Sequence, residues 1–256
     1  MKLCVLVKQV PDMESAMDQD PATGWLMAKS SRFQMSSFDA YAVEEALRVK
    51  ESLPGTEVTA LTIGPRRCEA VARRAIAMGC DKAAHVLVEP DRFLTGRQTA
   101  SLAAAFARQK SFDLILCGVM SQDSQAGEVG PMTAALLGMP WVCAVVDIQT
   151  SQDGAARVVS EGEGGARREI RLRLPGLVTI QTTSRSPRYP ALSHVLRASR
   201  QPMETIVEKE TCPALGLEVF SALAPFDQTS AGEFLQGTPE EKARRLRDIL
   251  RERALL

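Results

Sequence analysis

The chain has 256 residues, 45% of them hydrophobic and 24% charged, and its 31 basic and 31 acidic side chains cancel. That balance is ordinary for a globular protein and excludes a whole-chain electrostatic pull toward nucleic acid or an anionic membrane. Cys4, Cys68, Cys80, Cys117, Cys143 and Cys212 form no C-x-x-C pair, and the two histidines, His85 and His194, lie far apart. Reduced, buried thiols are expected rather than a disulfide framework or a zinc site.

Residues 2–8 form a short Val- and Leu-rich run typical of a central parallel strand. The run is too short for a signal peptide, and no stretch approaches the ~20 apolar residues of a membrane helix. A cytoplasmic protein without membrane insertion is therefore expected. Residues 9–37 lack clean periodicity, and Asp12, Asp18, Asp20, Pro21 and Gly24 suggest turns. A hairpin over a cofactor edge and a mobile surface insert are equally compatible with that segment. Residues 38–51 read as an amphipathic helix, with Tyr41, Ala42, Ala46 and Leu47 inward and Glu44, Glu45 and Lys50 outward.

A strand is expected over 57–63, closed by Gly64-Pro65, then a helix over 68–78 capped by Gly79. Further strands fall at 84–88 and 114–117, and helices at 95–109 and 126–137. This alternation implies an α/β fold with a doubly wound parallel sheet. The pattern then changes to strands at 142–150, 155–160, 169–174 and 177–182, with Gly162, Gly164 and Gly165 supplying a hairpin turn. After Pro187 the chain reads as irregular. Thr238-Pro239-Glu240-Glu241 then opens a last helix with a capping box and the apolar stripe Ala243, Leu246, Ile249 and Leu250. We therefore divide the chain into an α/β domain, 1–200, and a C-terminal arm, 201–256. The arm has little core of its own and must pack on the domain or on another protein.

Open α/β sheets bind ligands at the carboxyl ends of their strands. The richest such end is residues 117–134, where Gly127, Gly130 and Pro131 stand at a helix start and Ser124, Gln125 and Thr133 add neutral donors. Glycines allow close approach of a phosphate to backbone N–H groups, and a helix N-terminus adds positive partial charge. A glycine-rich turn with no ligand is the alternative reading, since neither a Walker A loop nor a G-x-G-x-x-G fingerprint is present. Neither histidine sits in a catalytic motif, and His85 reads as a core residue. A nucleotide holder fits better than an enzyme with chemistry of its own. An adenine-nucleotide-binding regulatory module resembling universal stress proteins is compatible with the 127–130 loop but leaves residues 187–198 and the arm unexplained.

Ordered motifs narrow this further. Val5-Leu6-Val7-Lys8-Gln9-Val10-Pro11-Asp12, Phe38-Asp39-Ala40-Tyr41-Ala42-Val43-Glu44-Glu45-Ala46, Gly64-Pro65 and Ala75-Ile76-Ala77-Met78-Gly79-Cys80-Asp81 succeed one another. The 118–134 loop, Glu161-Gly162-Glu163-Gly164-Gly165, Leu174-Pro175-Gly176-Leu177-Val178-Thr179 and Pro187-Arg188-Tyr189-Pro190-Ala191-Leu192 follow in order. Together they resemble the electron transfer flavoprotein beta subunit family over nearly the whole chain. The resemblance implies a Rossmann-like, adenine-nucleotide-binding fold with an added β-hairpin region. It also implies a heterodimer with a larger alpha subunit, which carries most contacts to the redox FAD. The beta subunit would hold AMP or, in the electron-bifurcating branch, a second FAD.

By position in the resemblance, Leu6, Ser36, Asp39 and Ile63 line the nucleotide site. So do Asp123, Gln125, Ala126, Gly127, Glu128 and Val129, followed by Gly130, Met132, Thr133 and Ala134. Leu192 would dock on a flavin-dependent dehydrogenase, although alone it reads as a core leucine. Glu161 would tether the mobile FAD domain of alpha; its alternative is a solvated hairpin charge. The C-terminal segment matches an arm that wraps around alpha. Ser36-Ser37 replaces the family's Asn-Pro, and Glu128 stands where glutamine is usual. A carboxylate facing phosphate is repulsive, so Glu128 should point away or bind ribose hydroxyls. Val129-Gly130-Pro131 resembles the second-FAD branch and Met132-Thr133-Ala134 the AMP branch, so the nucleotide stays open. Ser193 and His194 also depart from the family's usual docking loop.

Overall fold

A computed structural model describes residues 1–12, 14–15, 31–89, 94–150, 154–183, 185–208, 232 and 234–255. Cys212, Asp18, Asp20, Pro21 and Gly24 lie outside the described residues. Two units are distinguished. The larger takes Met1–Asp18 and Leu26–Phe220, and the smaller Gln19–Trp25 and Ser221–Leu256.

In the larger unit, β1 (Lys2–Leu6), β4 (Glu57–Gly64), β5 (Lys82–Leu87), β6 (Leu114–Gly118) and β10 (Gly176–Ile180) form a parallel core. Their near-unbroken Val, Leu, Ile and Ala runs fit strands covered on both faces. The full described sheet has nine strands in the order β11-β5-β4-β1-β6-β10-β7-β8-β9. Here β7 is Trp141–Thr150, β8 Ala155–Glu161, β9 Arg167–Arg173 and β11 Glu204–Val207. A short antiparallel ribbon pairs β2 (Gln9–Pro11) with β3 (Phe33–Met35), which favours the hairpin of the two readings left open for 9–37.

Helices α1 (Ser37–Ser52) and α2 (Glu69–Met78), with α5 (Leu192–Arg200), add to the core cluster containing Val5, Ala46, Ala72, Val178 and Ala198. Helices α3 (Gly96–Lys110) and α4 (Val129–Leu137) add to a second cluster with Cys4, Leu61, Phe106, Ile115 and Leu177. Gly79 ends α2 at φ 133°, where its N–H bonds back to Ala75 and Ile76 carbonyls. His85 is a buried core residue whose Nε2 lies 2.9 Å from the Gly64 carbonyl oxygen. Of the five described cysteines, four are buried and Cys143 is exposed.

Four expectations need correction. Glu44 and Glu45 do not face out; both are buried. Each is held by an arginine: Arg188, distant in sequence, reaches Glu44, and Arg48, one turn along the same helix, grips both oxygens of Glu45 at 2.8 Å. Lys50 is half-buried and paired with Asp81 at 2.6 Å. The helix expected from 126 starts at Val129, because Gln125 and Gly127 take positive φ of 52° and 66°, which breaks helical hydrogen bonding. The strand at Gly176–Ile180 is no fourth member of the hairpin region; it runs parallel between β6 and β7, while β7, β8 and β9 form the antiparallel meander. Finally, the chain beyond Pro187 is not irregular: α5 forms there, and β11 pairs with β5, so the main sheet continues past residue 200.

In the smaller unit, α6 (Pro239–Glu252) begins with the expected capping box. Thr238 Oγ1 accepts from Glu241 N at 3.3 Å, and Glu241 Oε2 accepts from Thr238 N at 2.8 Å. None of its side chains is buried.

Gly130 shows how tightly α4 seats on the sheet. A Cβ there would fall 2.7 Å from Thr179 Cγ2 and 2.8 Å from Cys117 Sγ. Thr179 cannot turn away freely, because its Oγ1 accepts a bond from Ala144 N at 3.1 Å. Gly130→Ala is expected to cost about 1–3 kcal/mol through overpacking, read as a lower thermal midpoint of the folded chain.

Candidate functional site at the sheet switch point

The chain leaves β1 toward β4 and β5, then crosses back to β6 on the other side of β1. Ligand crevices of open α/β sheets lie at such reversals. Here one side chain spans the reversal. Asp39, in the first turn of α1, accepts from Lys8 N through Oδ2 and from Gly118 N through Oδ1, each at 2.8 Å. It thus holds together the chain just after β1 and the end of β6. Burial pushes its carboxyl up to about 7, against the downward pull of those two amides and of the Lys8 charge.

The loop after β6 is built from the same point. Lys8 Nζ donates to Ser121 Oγ at 3.1 Å and to Asp123 Oδ1 at 2.8 Å. Burial alone would raise the Asp123 carboxyl, but bonds from Lys8 and Ser121 outweigh it and hold it below the ordinary range. Ser124 N donates to Asp123 Oδ1, and the Ser121 and Ser124 hydroxyls lie 2.9 Å apart. Ser37 N donates to Gln122 Oε1 at 2.9 Å. That bond needs the N–H that a proline at 37 would lack, so the Ser36-Ser37 departure gains a contact to the loop.

Beyond it, Gln125, Ala126 and Gly127 lie exposed, ahead of the N-terminus of α4. Successive backbone N–H groups in αR and αL turns make anion-binding concavities, and the first N–H groups of a helix lack intrahelical partners. Pro131 sits in that first turn, where no N–H is needed. Glu128 does not oppose an anion here. Its carboxyl is turned onto the start of α3, where a Cβ on Gly96 would fall 2.0 Å from Oε1. A helix N-terminus favours that negative charge.

The fourteen expected nucleotide residues separate into two groups. Leu6, Ile63, Asp123, Gln125, Ala126, Gly127, Glu128, Val129 and Met132 keep accessible surface, Leu6 and Ile63 on the face that carries α3 and α4. Ser36, Thr133 and Ala134 are wholly buried, and Asp39 and Gly130 nearly so. The Thr133 hydroxyl donates to the Val129 carbonyl at 2.7 Å, so it supports α4 from beneath. Ser36 Oγ is buried without a hydrogen-bond partner. Lys8 and Gln122 organise the loop yet were not among the expected residues; Lys8 stands at a strand end, which was the available signal. Two clefts of about 390 and 590 Å³ open at the amino ends of the parallel strands, around Met1 and Asp113 and around Lys2 and Lys82, away from these residues.

Leu192 and Glu161 lie apart from this shelf. Leu192 begins α5 and is 74% exposed, which removes its reading as a core leucine. Glu161 ends β8 beside the hairpin turn and is partly exposed.

Asp39 generates a pH prediction. Its folded-state pKa, about 7, exceeds the roughly 3.9 of an unfolded aspartate. Between those values the unfolded chain has released a proton that the folded chain retains, so this contribution to stability falls as pH rises. Relative to Asp39→Asn, the wild-type chain should lose stability from about pH 4 to 7, measured by urea unfolding across that range. A difference between the two that does not vary with pH would contradict the assignment.

Comparison with known proteins agrees with the geometry. The family described as "Electron transfer flavoprotein domain" matches residues 24–211. The chain is 33% identical to the electron transfer flavoprotein subunit beta of Bacillus subtilis over 99% of both chains. It is 30% identical to the human protein of the same name over 97% of this chain and 98% of that one. It is also 34% identical, over 93% of each, to the caffeyl-CoA reductase-Etf complex subunit CarD of Acetobacterium woodii. Among the described residues no helix is long and apolar enough to cross a membrane. The sheet order, the switch-point shelf and full-length similarity converge: the chain belongs to the electron transfer flavoprotein beta subunit family.

Proposed function

We propose that this chain is the nucleotide-holding half of a cytoplasmic, heterodimeric electron transfer flavoprotein, without catalysis of its own. The observation that carries the reading is the shelf at 121–130, fixed by Lys8, Asp39 and Ser37, with the Asp123 carboxylate paired to Lys8 and that of Glu128 turned away. Exposed backbone from Gln125 to Val129 and the start of α4 would receive the phosphate of an adenine nucleotide. Leu6, Ile63 and Met132 offer apolar surface for the base. Glu128 is left outside the phosphate contact, and Ser36, Asp39, Gly130, Thr133 and Ala134 act as the frame.

AMP, or a second FAD in its place, is the nucleotide. FAD shared with the alpha subunit supplies the electron-storing chemistry when bound. This chain's contribution is to shape one wall, order the nucleotide, and present a docking leucine to a flavin-dependent dehydrogenase. Glu161 tethers the FAD domain of alpha, and the C-terminal arm beyond β11, whose α6 buries none of its own side chains, packs on alpha. The universal-stress-protein reading gives no role to the exposed Leu192, and we set it aside.

Co-expression with an alpha subunit should yield a yellow heterodimer, whereas a stable colourless monomer under the same conditions would contradict the reading. In that heterodimer, Leu192→Ala should raise the KM for an acyl-CoA dehydrogenase used as electron donor, by about tenfold for a lost buried leucine contact, with flavin content intact. A panel of such enzymes is chosen because CarD belongs by name to a caffeyl-CoA reductase complex. Loss of flavin instead would make Leu192 structural.

A further inference from the structure

Helix α5 has only nine residues, and Ala198 is its one buried side chain. Isolated helices shorter than about 12–15 residues are marginal in water. Its N-cap, Ala191, provides no side-chain cap. Even so, it carries three exposed apolar side chains on one stripe: Leu192 at 74%, Val195 at 44% and Leu196 at 55% exposure. Something other than its own helical propensity and packing must hold it.

Two arginines do so, one at each end. Before the helix, Arg188 closes on α1. Its backbone N–H and Nε both donate to Glu44 Oε2, at 3.0 and 2.9 Å, and its Nη2 donates to Glu44 Oε1 at 2.8 Å. Its Nη1 donates to Glu51 Oε1 at 2.8 Å. The main chain and side chain of one residue therefore grip one buried carboxylate, a forked geometry that lysine cannot reproduce. Burial alone would raise the Glu44 carboxyl, but the Arg188 bonds and charge hold it below the ordinary range. Next to it, the Arg74 guanidinium lies over Tyr189, 5.8 Å from the tyrosine ring centre. After the helix, Arg73 Nη1 donates to the carbonyls of Ala198, Ser199 and Gln201, at 2.7, 3.0 and 3.3 Å. These are C-terminal groups that a helix leaves unsatisfied.

We infer that Arg188, anchored on Glu44 and Glu51, is a positioning residue for partner docking: it holds the start of α5 so that the Leu192, Val195 and Leu196 stripe is ordered before the dehydrogenase arrives. This rests on the proposed docking role of Leu192. Ordering a side chain or loop in advance removes that cost from association. The arrangement also gives Glu44 and Glu51 a purpose on α1: one buried and one exposed carboxylate, about two turns apart, both aimed at the same cation.

The test uses the co-expressed heterodimer and whichever purified acyl-CoA dehydrogenase of a panel reduces the wild-type complex. Two readouts are taken: hydrogen exchange of the amides of residues 192–200, and the KM and kcat for that dehydrogenase. Arg188→Met should speed exchange in α5 at least tenfold and raise KM several-fold, with kcat and flavin content unchanged. Arg188→Lys should restore part of both, and Glu51→Gln, which removes only the exposed half of the anchor, should shift both in the same direction by less. Wild-type exchange and KM in Arg188→Met, or loss of flavin together with KM, would overturn the inference. So would a Glu51→Gln protein identical to wild type if Arg188→Met fails to assemble. Leu192→Ala separates the two readings. If it leaves KM unchanged, the docking role fails, and exchange alone still decides whether Arg188 orders α5. If it raises KM while Arg188→Met does not, only the positioning inference fails.

Discussion

The site depends on one carboxylate placed where the sheet reverses direction. Parallel strands β1 and β6 are neighbours whose chains depart in opposite directions, which leaves backbone N–H groups at their ends without ladder partners. Asp39 takes up two of them, at Lys8 and Gly118. Because Lys8 is fixed through its amide, its side chain can reach forward to Ser121 and Asp123 and fix the loop. Because α1 begins two residues before Asp39, Ser37 meets Gln122 and ties the loop from a second side. The shelf is thus held through the side chains of Ser121, Gln122 and Asp123, and the backbone of Gln125 to Gly127 is left exposed. That division suits recognition of a phosphate, which needs donors in a set geometry more than it needs particular side chains.

Much of the fold is legible from residue pattern. The parallel core strands announce themselves as short apolar runs, and α3 and α6 carry capping residues that the structure uses as such. What escaped was set by partners distant in sequence. Glu44 looks solvated on a helical wheel because nothing local says that Arg188, 144 residues on, will meet it. Residues 192–200 are too polar and too short to announce a helix; α5 exists because Arg73 and Arg188 hold its ends. The strand Gly176–Ile180 follows three meander strands in sequence, and periodicity does not distinguish a fourth hairpin arm from a return to the parallel core. At the candidate site, the position of the glycine-rich loop at a strand end was legible, and so was the expectation that Glu128 turns away from it. Its destination on Gly96 was not, because that depends on where α3 begins in space. The sequence likewise did not separate residues that face the shelf from residues such as Thr133 and Ala134 that lie wholly beneath it.

This arrangement fits the electron-carrier role of the family. The chain's titratable groups near the shelf are spent on holding backbone, and its exposed apolar residues on α5 are held at both ends by arginines.

The most direct measurement is the nucleotide inventory of the co-expressed, purified heterodimer after denaturation, by mass spectrometry of the released small molecules. The account predicts one adenine nucleotide per beta subunit, AMP or FAD, in addition to the shared FAD, and its specific loss when Gly127→Val fills the shelf at a backbone φ of 66°. A heterodimer that releases the shared FAD and no second adenine nucleotide would contradict it.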